Sequence, residues 1–453
     1  MLKSINPAND EVLATLDRHS DADVEAALAR AAKTQREWRN TAVSERSALL
    51  KRIAEVLREG KSEYARTITL EMGKPIGEAL AEVEKCAWNC DYYAETAEAF
   101  LAPEHIKTPA SESYVSYEPL GIVLAIMPWN YPFWQVFRCL APIIAGGNGY
   151  VLKHASNVPQ CARAVEDIAR RAGAPDGLVT TLLIGAGAVE GLIDDDRISA
   201  VTLTGSTEVG SLVAAQAGRR IKKQVLELGG SDPFIVLADA DLDKAAATAL
   251  KARFHNAGQS CISPKRFIVE NAVADRFVDA MAAGIDKLVV GDPIDPEVGM
   301  GPMARTGLRG DLHEIVEATA AAGGKLVRGG KPTAGAGAFY QATLIDGVAA
   351  GMASFDKETF GPVASVVRAS GPEQAIELAN RTEFGLGGAL WTSDIDRAKR
   401  LVRDLEVGAV FINAMVASDP RMPFGGIKQS GYGRELGPQG IREFTNVKTN
   451  WIA

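Results

Sequence analysis

The chain has 453 residues, too many for one simple core, so two or more lobes are expected. With 47% hydrophobic and 23% charged residues and a mean hydropathy near zero, it has the composition of an ordinary soluble protein. A net charge of −8 with no basic run excludes a nucleic-acid surface, and no apolar stretch reaches the roughly 18 residues of a membrane span. The first sixteen residues lack the charged start and apolar core of a secretory signal, and five cysteines make no disulfide framework. A cytoplasmic small-molecule enzyme is the expectation. The histidines (His19, His105, His154, His255, His313) are scattered, so no metal site is predicted. Cys86 and Cys90 share one helical face and read as buried free thiols.

Taken in order, the first hundred residues predict helices over 21–39, 44–59, 62–71 and 76–100, each with apolar residues at helical spacing. Around Ser113 the period changes to the alternation of an extended strand. From Gly121 strand and helix alternate: strands over 121–127, 149–153, 179–184 and 200–204, with helices after Pro132 and over 158–172, 188–193 and 207–218. Such alternation of apolar strands with helices predicts a parallel, helix-covered sheet, the kind that binds nucleotides at its strands' carboxyl ends. A second α/β lobe starts with a strand over 233–237. It continues through helices over 241–254 and 274–288, strands over 266–270, 363–368 and 408–413, and a helix from Glu373. The Gly- and Ala-rich segment 329–339 reads as a surface loop.

The densest chemical signal is Phe254-His-Asn-Ala-Gly-Gln-Ser-Cys-Ile-Ser263. Its cysteine follows a turn-forming sequence whose backbone is free to aim N–H groups at one point; the alternative is a core thiol. Asn256-Ala-Gly-Gln-Ser-Cys261 resembles the nucleophile loop of the aldehyde dehydrogenase superfamily. Leu226-Glu-Leu-Gly-Gly230 resembles that family's general-base motif, and Met127-Pro-Trp-Asn-Tyr-Pro132 its oxyanion asparagine motif. Glu358-Thr-Phe-Gly-Pro362 and Pro423-Phe-Gly-Gly-Ile-Lys-Gln-Ser-Gly-Tyr-Gly-Arg-Glu435 are two further signatures. All occur in family order across nearly the whole chain.

The resemblance implies an α/β fold of three parts. These are a Rossmann-type cofactor domain (1–101 and 119–229), an α/β catalytic domain (230–430) and a β-ribbon oligomerisation arm (102–118 and 431–453). A homodimer or homotetramer is expected. It also implies catalytic roles: Cys261 attacks the aldehyde, Asn130 and the Cys261 N–H hold the oxyanion, and Glu227 activates the water that hydrolyses the thioester. For the cofactor it implies Glu358 on the nicotinamide ribose, Phe360 near the ring, Lys153 on the adenosine ribose, and Trp129, Gly205 and Ser206 at the phosphates. The Gly-rich stretch 184–191 imitates a dinucleotide fingerprint but has the wrong spacing. Ser156 stands where NAD-preferring members commonly carry Glu, so NADP is expected, with NAD possible; a helix-start cap is the plainer reading of Ser156 and Lys153.

Motifs around the substrate are most similar to bacterial succinate-semialdehyde dehydrogenases. Arg138, two helical turns after Asn130, and Ser418 are expected to hold a substrate carboxylate; a plain ion pair is the alternative for Arg138. Trp134 and Phe424 are expected as apolar walls, and His255 replaces a second arginine found in some relatives. Other aldehydes, an acylating enzyme using coenzyme A, and a non-catalytic binding protein on this scaffold are the competing readings.

Overall fold

The structure, a computed structural model, describes all residues 1–453. A short antiparallel hairpin (Leu2–Ile5 and Val12–Leu16) precedes four helices, Asp21–Trp38, Val43–Glu59, Lys61–Met72 and Ile76–Leu101. The first is set by a capping box: Ser20 accepts from the Asp23 N–H, and the Asp23 carboxylate accepts from Ser20 N–H. None of the helices is long and apolar enough to cross a membrane.

Next comes a six-stranded sheet in the order Gly431–Tyr432, Lys223–Glu227, Ile198–Thr204, Ile122–Met127, Gly149–His154, Val179–Thr181. Its central strands Ile122–Met127 and Gly149–His154 are buried at every residue, as their unbroken apolar runs require of a sheet covered on both faces. From Ile122–Met127 the chain moves outward through the strands at 149 and 179, then returns to place Ile198–Thr204 on the opposite side. Strand order therefore reverses between these two neighbours. Their carboxyl ends diverge there into the crevice where such sheets take ligands. Trp129 and Asn130 follow one strand, Gly205 and Ser206 the other.

A seven-stranded sheet forms the second lobe, in the order Lys325–Arg328, Thr343–Asp346, Val363–Ala369, Arg266–Glu270, Pro233–Val236, Gly387–Trp391, Ala409–Ile412. All its pairs are parallel except the edge strand Lys325–Arg328. The sequence reading passed over Lys325–Arg328, Thr343–Asp346 and Gly387–Trp391, four or five residues each and too short to show a period, and also over the 16-residue helix Thr306–Ala321.

The third part is a ribbon in which Thr445–Ile452 pairs antiparallel with all of Glu112–Pro119, joined by Glu104–His105. Here the expected division of the tail is corrected. Gly431–Tyr432 is not in the arm but hydrogen-bonds the edge strand Lys223–Glu227 of the cofactor sheet, and the helix Gly437–Glu443 packs on the helices Ile76–Leu101 and Trp134–Ala145. A Cβ on Gly431 would lie 2.0 Å from the Leu226 carbonyl oxygen, which is why the chain can pass so close to the sheet only as glycine. Only from Thr445 does the chain enter the ribbon.

Candidate active site

Cys261 lies between the helix Leu242–Phe254 and the strand Arg266–Glu270, at the amino end of the catalytic sheet. The turn before it is unusual: Asn256, Ala257 and Gly258 have φ of 52°, 51° and 70°, three consecutive left-handed residues. Each non-glycine in that region costs roughly 1–2 kcal/mol, so the turn must be held from outside. Glu78 accepts from the Asn256 N–H at 2.8 Å, and the Asn256 side-chain amide donates to the Asn130 carbonyl at 2.8 Å. Gln259 accepts from the Ala304 N–H at 2.9 Å. Gly258 lies so near Gly361 that a Cβ would stand 2.3 Å from its carbonyl oxygen. Beneath the loop, the fully buried Arg253 donates to the carbonyls of Gly258, Thr359, Gly361 and Pro264. Lys265 donates to the Ser260 and Cys261 carbonyls at 2.9 and 2.5 Å and pairs with Glu358 at 3.3 Å. The Cys261 carbonyl is thereby fixed, and with it the direction of the loop's amides.

Asn130 is buried, and its side-chain nitrogen donates to the Gln259 carbonyl at 3.1 Å. An amide nitrogen carries two hydrogens, so one anchors the group and the other remains for an oxyanion. Glu227 ends the strand Lys223–Glu227, is 2% exposed, and neither of its carboxylate oxygens has a hydrogen-bond partner. Burial pushes its carboxyl up to about 8, opposed by Arg138 and assisted by Glu435. Room for it depends on Gly425, where a Cβ would approach a Glu227 oxygen to 2.9 Å. Burial likewise pushes the Cys261 thiol up to about 12, with Lys265 and Arg138 pulling it down and Glu227 pushing it up. A carboxyl that becomes a base as pH rises through about 8, a thiol within its field and fixed amide donors are the parts of covalent acyl chemistry.

On the cofactor side, Lys153 is buried near the end of its strand, makes no hydrogen bond or ion pair, and is pulled below the usual lysine range by burial. Ser156 is exposed on the turn that follows; the helix Pro159–Arg171 has Val158 at its cap position, so the cap reading of Ser156 and Lys153 does not apply. Ser206 caps the helix Thr207–Arg219 by accepting from Val209 N–H at 3.3 Å, beside the helix's free amides. Trp129 and Phe360 meet edge to face at 5.8 Å. Glu358 accepts from Gly230 N–H at 3.2 Å, and a Cβ on Gly229 would come within 2.7 Å of its other oxygen. An unpaired ammonium on a mostly buried lysine, a helix amino terminus and an aromatic pair suit a nicotinamide dinucleotide.

Beside Cys261 is a cavity of about 190 Å³, smaller than the roughly 300–1,000 Å³ of sites for drug-sized ligands. Trp134, Phe424, Arg138, His255 and Ser418 all line it. Their states differ from a simple row of anchors. Arg138, 1% exposed, is ion-paired with Glu435, donates to Thr204 Oγ1 at 3.2 Å, and lies over the Phe424 ring at 4.9 Å. His255 is 3.1 Å from Glu78 and stacks on Tyr131. The sequence reading missed Lys85, whose ammonium donates to Ser418 Oγ at 2.8 Å and lies 4.3 Å from the Trp134 ring centre. It also missed Glu435, Lys265 and Arg253. Only a buried-charge pattern, invisible in one sequence, would have revealed them.

The chain belongs to the aldehyde dehydrogenase family, whose profile matches residues 1–450. It is an NAD(P)-dependent aldehyde dehydrogenase by that membership, a class that works through a catalytic cysteine. It is 48% identical over 452 residues to a probable NADP(+) succinate-semialdehyde dehydrogenase of Synechocystis sp., covering all of both chains. It is also 48% identical over 455 residues to an NADP(+) succinate-semialdehyde dehydrogenase of Mycobacterium tuberculosis, again covering both completely. Among solved structures it matches succinic semialdehyde dehydrogenase from Streptococcus pyogenes, a complex with NADP+, with a TM-score of 0.98, 38% identity and full coverage of both chains. The corresponding Burkholderia pseudomallei enzyme gives a TM-score of 0.97 at 35% identity, covering 100% of this chain and 94% of that one.

Proposed function

We propose that the chain oxidises succinic semialdehyde to succinate with NADP. The observation that carries this is the cavity itself: small, walled by Trp134 and Phe424, open to Cys261, and polar at Lys85, Arg138 and Ser418. An aldehyde with a carboxylate a few carbons away matches both its size and its charge. Relatives bearing that activity in their names support the reading.

In this reading the Cys261 sulfur bonds to the aldehyde carbon as its thiol proton passes to solvent through the open cavity. The second hydrogen of the Asn130 amide and the Cys261 N–H receive the oxyanion. A bound nicotinamide would supply the hydride acceptor, and Cys261 would then carry the acyl group as a thioester. Glu227 then takes a proton from water, which attacks the thioester carbon and releases the acid and the thiol. Trp129, Gly205, Ser206, Lys153, Glu358 and Phe360 are the residues that would hold the cofactor. Ser156 presents no charge to a 2′-phosphate, whereas the free ammonium of Lys153 attracts one, so NADP is preferred. Through the ribbon at Thr445–Ile452, with Val447 60% and Trp451 57% exposed, the chain forms a homodimer or homotetramer.

A panel of aldehydes against NADP and NAD, followed at the reduced-nicotinamide absorbance, tests the assignment. Succinic semialdehyde should exceed butanal in kcat/KM, and a reversed order would reject the reading. Sedimentation giving only monomer at micromolar protein would reject the assembly.

A further inference from the structure

We infer that Lys85, together with Ser418, is the residue that selects a carboxylated aldehyde in this cavity, and that Arg138 instead acts as a positioning residue for Glu435. The inference rests on the reading above that the cavity takes such an aldehyde. Three basic side chains line the cavity, and two already face a carboxylate. Arg138 holds its Nε in the ion pair with Glu435 and donates from Nη2 to Thr204 Oγ1, and His255 sits 3.1 Å from the Glu78 carboxylate. A neighbouring lysine, Lys74, is likewise paired, with Glu82. Lys85 alone has no carboxylate partner; its ammonium donates to the Ser418 hydroxyl at 2.8 Å and rests against the face of Trp134.

A primary ammonium has three hydrogens, and the Ser418 contact uses one. The Ser418 oxygen accepts from Lys85, so its own hydrogen remains to be donated. Together the two side chains offer donors to both oxygens of a carboxylate. Burial pulls Lys85 down to about 8, with the positive charge of Arg138 adding to the effect. An ammonium held under that pressure gains from a substrate anion what its surroundings withhold. Placement agrees: Lys85 sits on the helix Ile76–Leu101 one and two turns beyond Glu82 and Glu78, so this face of the helix forms one wall of the cavity.

The test is kcat/KM for succinic semialdehyde and for butanal in the parent and in Lys85→Met, Lys85→Gln and Ser418→Ala. For either Lys85 variant, the value for succinic semialdehyde should fall about ten- to a hundred-fold, mainly through KM, while butanal stays within about twofold. Butanal also reports folding, so the comparison is internal. Combining Lys85→Met with Ser418→Ala should lose less than the product of the single losses, because the two groups act as a unit. A parent preference for the carboxylated aldehyde that survives both Lys85 variants overturns the assignment while leaving the proposed substrate standing. An equal loss on both aldehydes also overturns it. A parent without that preference rejects the substrate reading, and the anchor with it.

Discussion

The two ends of the active site are built on different principles. At the cofactor end, most of the proposed residues follow directly from strand termini: Trp129 after one strand, Gly205 and Ser206 after its neighbour, Lys153 near the end of a third. One sheet and one reversal of strand order position these, and Glu358 and Phe360 join them from the loop before Val363–Ala369 in the second lobe. At the substrate end no single element suffices. The cavity is made by the sides of two helices, at 78–85 and 134–138, with Tyr131 just before the second, and by two loops, at 255–263 and 415–424. The first end is set by a topology shared by many sheets, and the second by side chains brought together from segments more than 300 residues apart. The difference teaches that cofactor recognition is anchored in the fold, whereas substrate choice is open to single side-chain changes.

The sharpest way to break this separation is to remove the nucleophile. Cys261→Ala should lower aldehyde oxidation by at least about 10⁴-fold. NADP binding, measured by fluorescence quenching or calorimetry, should remain near that of the parent, because the cofactor residues do not depend on the thiol. Loss of both together would show that the two ends are one mechanical unit.

Next in size is Glu227→Gln, which should still reduce cofactor once but lower steady turnover by about 10²–10⁴-fold. Rapid mixing should show a burst of one equivalent followed by a nearly flat trace. In the parent, burial raises the Glu227 carboxyl to about 8, so it is largely protonated, and useless as a base, below that pH. Steady-state kcat should therefore rise with pH through about 8 when thioester hydrolysis limits the rate. A profile already flat from pH 6 would place the base elsewhere.

Arg138→Met sharpens the comparison from the other side. Removing the guanidinium leaves Glu435 buried without its partner, a change that costs about 3–5 kcal/mol when a buried pair is broken. A lower denaturation midpoint and equal losses on succinic semialdehyde and butanal are expected. A loss confined to the carboxylated aldehyde would return Arg138 to the role of anchor.

Smallest is Ser156→Glu, which should swing the NADP to NAD ratio of kcat/KM by about tenfold toward NAD, through repulsion of the 2′-phosphate. The ratio between aldehydes should stay as it was. Equal effects on both cofactors would show that Ser156 does not face that phosphate.

Legibility in the sequence follows the same division. Alternating strands and helices were readable because long apolar periods and short loops are local features, and the motif residues at strand ends came with them. Lys85 was not readable. Glu78, Glu82 and Lys85 recur at helical spacing as charged residues, which normally marks a solvated face. Here that face is covered by loops 170 to 340 positions away, and covering converts a surface lysine into a pocket lysine. Arg138 was readable as a charged residue on the pocket face, but its partner Glu435 lies almost 300 residues on, so its engagement was not. The tail was assigned to the arm as a block. Gly431, where a Cβ would meet the Leu226 carbonyl, and the left-handed Gly433 instead carry it past the cofactor sheet first.

The left-handed turn at Asn256–Gly258 has a consequence for how the molecule is put together. Its ties run to Glu78 and Asn130 in the first lobe and to Ala304 and Gly361 in the second. Neither lobe alone owns the shape of the nucleophile loop. A fragment expressed from residue 230 onward would contain Cys261 and all of its own sheet, yet its turn would relax toward ordinary backbone geometry. Reactivity at the thiol would then emerge only on recombination with the first fragment, making Cys261 a reporter of docked halves as much as of chemistry.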